Sequence, residues 1–209
     1  MIVAILLAAL QAGSASAAVQ TTQERVRKDL NVWFKAVGPA RTRAKEKARA
    51  AVGELIDFDT LAKDTLGAKW DGLSAKDRAR YTAALRGAME ANYLSKMRQG
   101  KTADVDSVKS EVLSEEKKGE QTMVKTRVTS GPDTAAIDYL MAREKKGWRA
   151  VDVLTEGVSL AETYRDQVSR LMAKKNFDAV VGALEKKRKA LEAEEDKPAA
   201  SGAPAAAPR

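Results

Sequence analysis

QTMVKTRV, residues 121–128, is followed after the turn residues Ser130-Gly131-Pro132-Asp133 by AAIDYLMAR, residues 135–143. Both stretches repeat every two residues, which is the spacing of a strand with one buried face. Thr122, Val124, Thr126 and Val128 share one face of the first, and Ile137, Tyr139 and Met141 share one face of the second. Working outward, Val108, Ser110 and Val112 alternate before the Lys117-Lys118-Gly119 turn, and Lys145-Lys146-Gly147 leads into Trp148 to Thr155. Four sequential strands joined by short turns predict an antiparallel meander, because parallel pairing needs long crossovers. In the last strand Val151 and Val153 are expected to face the helices, since the alternate set contains Asp152.

On either side the period changes to that of a helix. From Thr22, Val26, Leu30, Trp33, Phe34 and Val37 recur at helical spacing, and Gly38-Pro39 ends that helix and starts an Ala-rich one reaching Ile56. Asp57 caps a short helix with Phe58, Leu61 and Leu66, ended by Gly67. Ser74-Ala75-Lys76-Asp77 opens a long helix with Tyr81, Leu85, Met89, Tyr93 and Met97 on one face and Gly100 at its end. After the strands, Ser159-Leu160-Ala161-Glu162 is a capping box for a helix carrying Tyr164, Val168 and Leu171, and Asn176 caps a last helix with Phe177, Val181 and Leu184. The fold class is therefore α+β: helices packed around a four-stranded antiparallel meander.

The ends read differently. Residues 2–10, IVAILLAAL, are too few to span a bilayer, which takes roughly 20 residues. Small residues at Ala15 and Ala17 follow, the pattern of a signal peptide cleaved before Ala18, although no Lys or Arg precedes the apolar run. The organisation expected is a signal peptide over residues 1–17, one domain over 18–196, and a disordered Pro/Ala tail over 197–209, which has no large apolar side chain to bury. No cysteine stands at the cleavage site to take a lipid anchor, so the exported protein is expected in the periplasm without stable membrane insertion.

Composition narrows the chemistry. The 209 residues include no histidine and no cysteine, which excludes imidazole and thiolate metal sites, disulfides, and Cys- or His-dependent catalysis. No G-x-S-x-G elbow is present for a serine hydrolase. The 37 Lys and Arg against 29 Asp and Glu give +8, but the signs interleave and aromatics are only 5%, so nucleic acid is not the expected partner. Asp152 and Glu156 near Arg165 read as an ion pair or a cap, not as acid-base catalysts. The densest basic run, Arg41, Arg43, Lys45, Lys47 and Arg49, reads as a solvated helix face, or as a docking surface for an acidic partner or an anionic membrane.

One resemblance is specific. Ile137-Asp138-Tyr139-Leu140, Gly147-Trp148-Arg149-Ala150-Val151-Asp152-Val153, Glu156-Gly157-Val158-Ser159-Leu160 and Tyr164-Arg165 occur in an order and spacing that resembles the MlaC family of periplasmic phospholipid carriers, also called toluene-tolerance proteins. Phe58-Asp59, Gly67-x-x-Trp70 before Leu73-Ser74, and Phe177-Asp178 agree, over roughly residues 25–188. The resemblance implies no enzyme activity and no cofactor. It implies a diacyl lipid held between sheet and helices and shuttled between an outer-membrane lipoprotein complex and an inner-membrane ABC transporter with an MCE-domain protein, maintaining outer-membrane lipid asymmetry.

On that footing the candidate lipid-binding residues are Phe58, Leu61, Leu66 and Trp70 in and after the short helix, and Tyr81, Leu85, Met89 and Tyr93 on the long one. The sheet adds Val124, Val128, Val151 and Val153, and its join to the next helix adds Val158 and Tyr164. The long-helix stripe reads equally as plain core. A rival reading of the whole is a periplasmic chaperone-like module whose apolar groove binds a peptide or protein segment.

Overall fold

The computed structural model describes residues 13–99, 107–145 and 147–195. Helices α1 (Ala15–Lys35) and α2 (Gly38–Leu55) form a hairpin, and α3 (Phe58–Leu66) leads through a 3-10 turn (Gly67–Lys69) to the long α4 (Ala75–Gln99). Strands β1 (Lys109–Lys118), β2 (Gln121–Ser130), β3 (Asp133–Glu144), β4 (Gly147–Thr155) and β5 (Val158–Ser159) follow, then α5 (Leu160–Lys174) and α6 (Phe177–Glu195). The α+β expectation holds. The predicted helix end at Gly100, the side chain of Met97, Lys146 and the tail fall outside the described residues.

All sheet neighbours are antiparallel in the order β1-β2-β3-β4-β5, so the sheet has five strands where alternation predicted four. The fifth strand has two residues, too few to show a period. It exists because Glu156 and Gly157 both take positive φ, 50° and 74°, and fold the chain straight back so that Thr155 meets Val158. A second difference lies inside β4. Leu140 pairs with Asp152 and Met141 with Ala150, leaving Val151 as the extra residue of a bulge. The bulge breaks the alternation, so Ala150 and Val153, not Val151 and Val153, share the face packed under the helices, while Val151 is buried at the bulge itself.

Helix α1 begins at Ala15, earlier than Thr22. Ser14 Oγ caps it by accepting from Ala17 N at 3.0 Å, and Ala15 and Val19 extend the buried stripe of Val26, Leu30 and Trp33. Upstream, Gly13 O accepts from Trp148 Nε1 at 2.7 Å and Arg143 Nη1 at 2.9 Å. The Ala/Ser run that matches a cleavage site also favours a helix, so the position before Ala18 lies within α1.

The apolar interior falls into three clusters. The largest joins α3, α4, α5 and α6 through Leu61, Tyr81, Leu85, Tyr164, Val180 and Val181. A second lies in the hairpin, where Val26, Leu30 and Trp33 of α1 meet Ala44, Ala48 and Ala51 of α2, with Leu94 of α4 added. The third is the covered sheet face: Val124, Met141 and Ala150 under Ala15, Val19 and Leu55.

Strand β4 connects these layers. Ile56 bridges to Ala150, Asp57 N donates to Ala150 O at 2.9 Å, and Arg149 Nη2 donates to Ile56 O at 2.6 Å. Asp152 Oδ1 accepts from Ala161 N at 3.0 Å, and Oδ2 accepts from the hydroxyl of Ser159, whose Oγ accepts from Glu162 N at 3.0 Å. Asp152 is thus a helix cap. Glu156 Oε1 accepts from Ala136 N at 2.7 Å, and Arg165 Nε donates to Asp64 O at 2.8 Å. Asp152→Ala leaves partly buried donors at the α5 N-terminus unpaired, and its expected effect is a loss of about 2 kcal/mol of unfolding free energy, read from urea titration at unchanged slope. A loss under about 0.5 kcal/mol shows the cap to be dispensable.

Candidate functional site

The sequence-predicted lining residues do not form one surface. Phe58, Leu61, Leu66, Tyr81, Leu85, Met89 and Tyr164 belong to the helical cluster, with Trp70 half-buried against it. Tyr93, one helical turn beyond Met89, packs instead against the hairpin, while Val124 and Val153 lie on the covered sheet face. Val128 is half-buried, and Val158 is 62% exposed in β5. Among the described side chains the long-helix stripe therefore divides: its first three residues meet helices α3, α5 and α6, and Tyr93 meets the hairpin.

The candidate site is the seam between α2 and α4, lined by Ala48, Arg49 and Val52 of α2 and by Glu90, Tyr93 and Leu94 of α4, and it is closed, with no room for a water molecule. A small-molecule site usually offers roughly 300–1,000 Å³. The rim of the seam is charged. Arg86 Nε donates to Glu90 Oε1 at 2.7 Å, Arg49 Nη2 reaches Glu192 Oε1 at 2.8 Å, and Arg188 Nε lies 3.8 Å from Glu192 Oε2. Two glycines make room for these arginines: a Cβ at Gly53 would stand 2.3 Å from Arg86 Nη2, and one at Gly87 would stand 2.7 Å from Arg188 Cδ.

On the sheet side the interior carries a small polar network. Gln23 of α1 donates from Nε2 to Tyr139 Oη at 3.2 Å, and Gln23 Oε1 accepts from Ser110 Oγ at 2.8 Å. Thr126 N donates to Asp138 Oδ1 at 3.2 Å. Gln23 and its partners were not among the sequence candidates. The available signal was a polar residue on the stripe Val19, Gln23, Val26, Leu30, Trp33, where an apolar one belongs.

The four tyrosines report how dry the interior is. Burial pushes the hydroxyls of Tyr93 and Tyr139 up, with the neighbouring Tyr139 adding to the effect on Tyr93 and the Gln23 hydrogen bond opposing it at Tyr139. Burial likewise pushes Tyr81 up to about 12, against a lowering hydrogen bond with Thr65, and Tyr164 up to about 12. All four are neutral at physiological pH. Among the described residues no group of three or more Asp or Glu is placed to hold a metal ion. The seam is closed as it stands, so an apolar chain could enter only if α2 and α4 part, past the ionised groups at its rim.

Tyrosinate absorbance of the folded protein near pH ~10 should fall short of that of free phenols, with Tyr81 and Tyr164 ionising only toward about 12. Unfolded phenols lose their protons near pH ~10 while the folded ones keep theirs, so stability is intact below that pH and falls as pH rises toward 12. A phenol titrating normally near pH ~10 in folded protein would contradict the burial of that tyrosine.

Comparison with known proteins adds independent findings. A family model described as MlaC protein matches residues 18–186. No curated protein matches. Among solved structures, the phospholipid-binding protein from Ralstonia solanacearum in complex with a phospholipid, at 1.53 Å resolution, is similar with a TM-score of 0.73. The likeness covers 86% of this chain and 99% of that one at 17% identity, and at that identity it is a likeness of fold.

Proposed function

Because this chain belongs to the MlaC family, we propose that it binds a phospholipid by its acyl chains and carries it through the periplasm, without doing chemistry on it. The observation that carries the reading is the family match across residues 18–186, whose limits enclose all three apolar clusters except Ala15. In this reading the lipid passes between an outer-membrane lipoprotein complex and an inner-membrane ABC transporter with an MCE-domain protein, and the exchange maintains outer-membrane lipid asymmetry. Among the described residues no helix is long and apolar enough to cross a membrane.

Export is part of the proposal. Cleavage before Ala18 removes Ala15 from its seat with Val124, Met141 and Ala150, together with the Ser16 hydrogen bonds to Glu115 and the Gly13 bonds to Arg143 and Trp148. The covered sheet face then opens at that end. Terminal sequencing of periplasmic protein should return Ala18-Val19-Gln20; a mature chain that keeps Ser14 and Ala15 refutes this boundary. The tail, residues 197–209, has nothing to bury, and its deletion should leave melting and lipid content unchanged.

Apolar burial, not a head-group salt bridge, holds the cargo in this reading. One acyl chain of about 14 methylenes contributes on the order of 11 kcal/mol at roughly 0.8 kcal/mol each before opposing terms. An exposed ion pair contributes about 1 kcal/mol or less. Organic extraction and mass spectrometry should find stoichiometric phospholipid, in equal amount after low-salt and high-salt columns. Stripping by salt alone would assign the binding to charge, and protein without lipid but with bound peptide would replace the carrier reading with a peptide-binding one.

Charge substitutions separate pocket from core. Val153 is half-buried on the sheet face, so Val153→Lys is expected to keep the fold and lose the lipid. Leu85 is sealed among helices, so Leu85→Asp is expected to unfold the chain. If Val153→Lys folds and keeps its lipid, the covered sheet face does not hold the lipid.

A further inference from the structure

The hairpin of α1 and α2 ends far from the sheet. Its N-terminal turn sits on the strands, and 21 residues of helix at ~1.5 Å each carry the chain roughly 30 Å away to the α1–α2 turn. That turn is unusually apolar for an exposed corner. Val37 is 84% exposed and Val32 47%, and the adjoining Gly38, Pro39 and Ala40 are exposed as well. An open groove of about 360 Å³ runs beside it, lined by Asn31, Val32, Lys35 and Ala36.

Along the chain at this corner the charge has one sign. No Asp or Glu occurs between Asp29 and Glu46, whereas Lys35, Arg41, Arg43 and Lys45 do. Residues 15–55 hold nine Lys and Arg against four Asp and Glu, a net +5 of the chain's +8. The Arg41 guanidinium and the Lys45 ammonium lie over the Trp33 ring, 5.4 and 5.9 Å from its centroid, a cation–π arrangement that holds both charges at this corner. Val37 is also the N-cap of α2 and offers no side-chain acceptor to the first amides.

From this juxtaposition of exposed valines and a one-signed basic collar, we infer that the α1–α2 turn docks reversibly on an anionic bilayer surface. The valines enter the head-group boundary, and Lys35, Arg41 and Arg43 meet lipid phosphates. A protein partner is the weaker fit. Interface cores draw on exposed aromatic anchors, and the aromatics here, Trp33 and Phe34, are turned inward as a stacked pair 4.9 Å apart. The inference goes beyond the carriage of lipid and uses none of its residues, so failure of one leaves the other standing.

The chain has no cysteine, so Val37→Cys accepts a single environment-sensitive fluorophore in the full chain, and Glu120→Cys in the β1–β2 turn serves as control. Vesicles of phosphatidylglycerol and phosphatidylcholine should blue-shift the label at 37 and not at 120, and vesicles of phosphatidylcholine alone should shift neither. High salt, or Lys35→Glu with Arg43→Glu, should weaken the titration by at least about tenfold with circular dichroism unchanged. No shift at 37, an equal shift at 120, or an equal response to neutral vesicles overturns the inference. A label silent to vesicles but responsive to an acidic polypeptide such as polyglutamate also overturns it, by assigning the turn to a protein partner.

Discussion

The fold depends on the way strand β4 is tied to the helices along the stretch from Arg149 to Asp152. Ala150 accepts the amide of Asp57 and bridges to Ile56, which fixes the joint between α2 and α3. Arg149 donates to the carbonyl of Ile56 from the same strand, and Asp152 caps α5 two elements later. Helices that precede and follow the sheet in sequence are thereby fixed to one strand. A chain with no cysteine or metal ligand of the imidazole type has no covalent or coordinate substitute for these bonds. Each is worth roughly 1 kcal/mol net, yet leaving one buried partner unpaired costs more than the bond contributed.

The strands and most caps were legible because one residue pattern decides each. Period-two Thr/Val spacing identifies β2, and Asp57, Ser74, Ser159 and Asn176 each precede a helix and accept one of its free amides. Three features escaped. A two-residue strand has no period, so β5 was invisible. A bulge inserts one residue without changing composition, so strict alternation found Val153 but could not place Ala150 on the same covered face. At α1 the same small residues satisfy both a protease site and a helix, and local pattern cannot choose between them.

The division of the candidate lining residues has a related cause. A stripe at helical spacing shows which side of α4 is buried, but not against what. Tyr81 to Met89 meet α3, α5 and α6, and Tyr93 meets the hairpin, because elements separated in sequence converge there. The pairing of Arg49 with Glu192, 143 positions away, is of the same kind. Gly53 and Gly87 gave the nearest hint, since a glycine inside a helix weakens it by about 1 kcal/mol and is retained where a neighbour comes close. The close neighbours are the arginine side chains at the rim.

These contacts also rank the boundaries of the molecule by how much separation would lose. Parting α1 from α2 exposes Trp33, Leu30 and Val26, and parting α4 from α6 exposes Tyr81, Val180 and Val181, at about 1.5–3 kcal/mol for each large side chain. Between α2 and α4 the buried apolar contribution among the described residues is mainly Leu94, with Tyr93 half-covered; of the partly exposed pairs beside it, Arg86–Glu90 lies within α4 and Arg49–Glu192 ties α2 to α6. Such pairs contribute about 0–1 kcal/mol each, because water recovers most of what the partners lose. Of these three boundaries, that between α2 and α4 therefore covers the least apolar side chain among the described residues. In the proposed carrier this seam, beside Tyr93, is the one whose parting loses least.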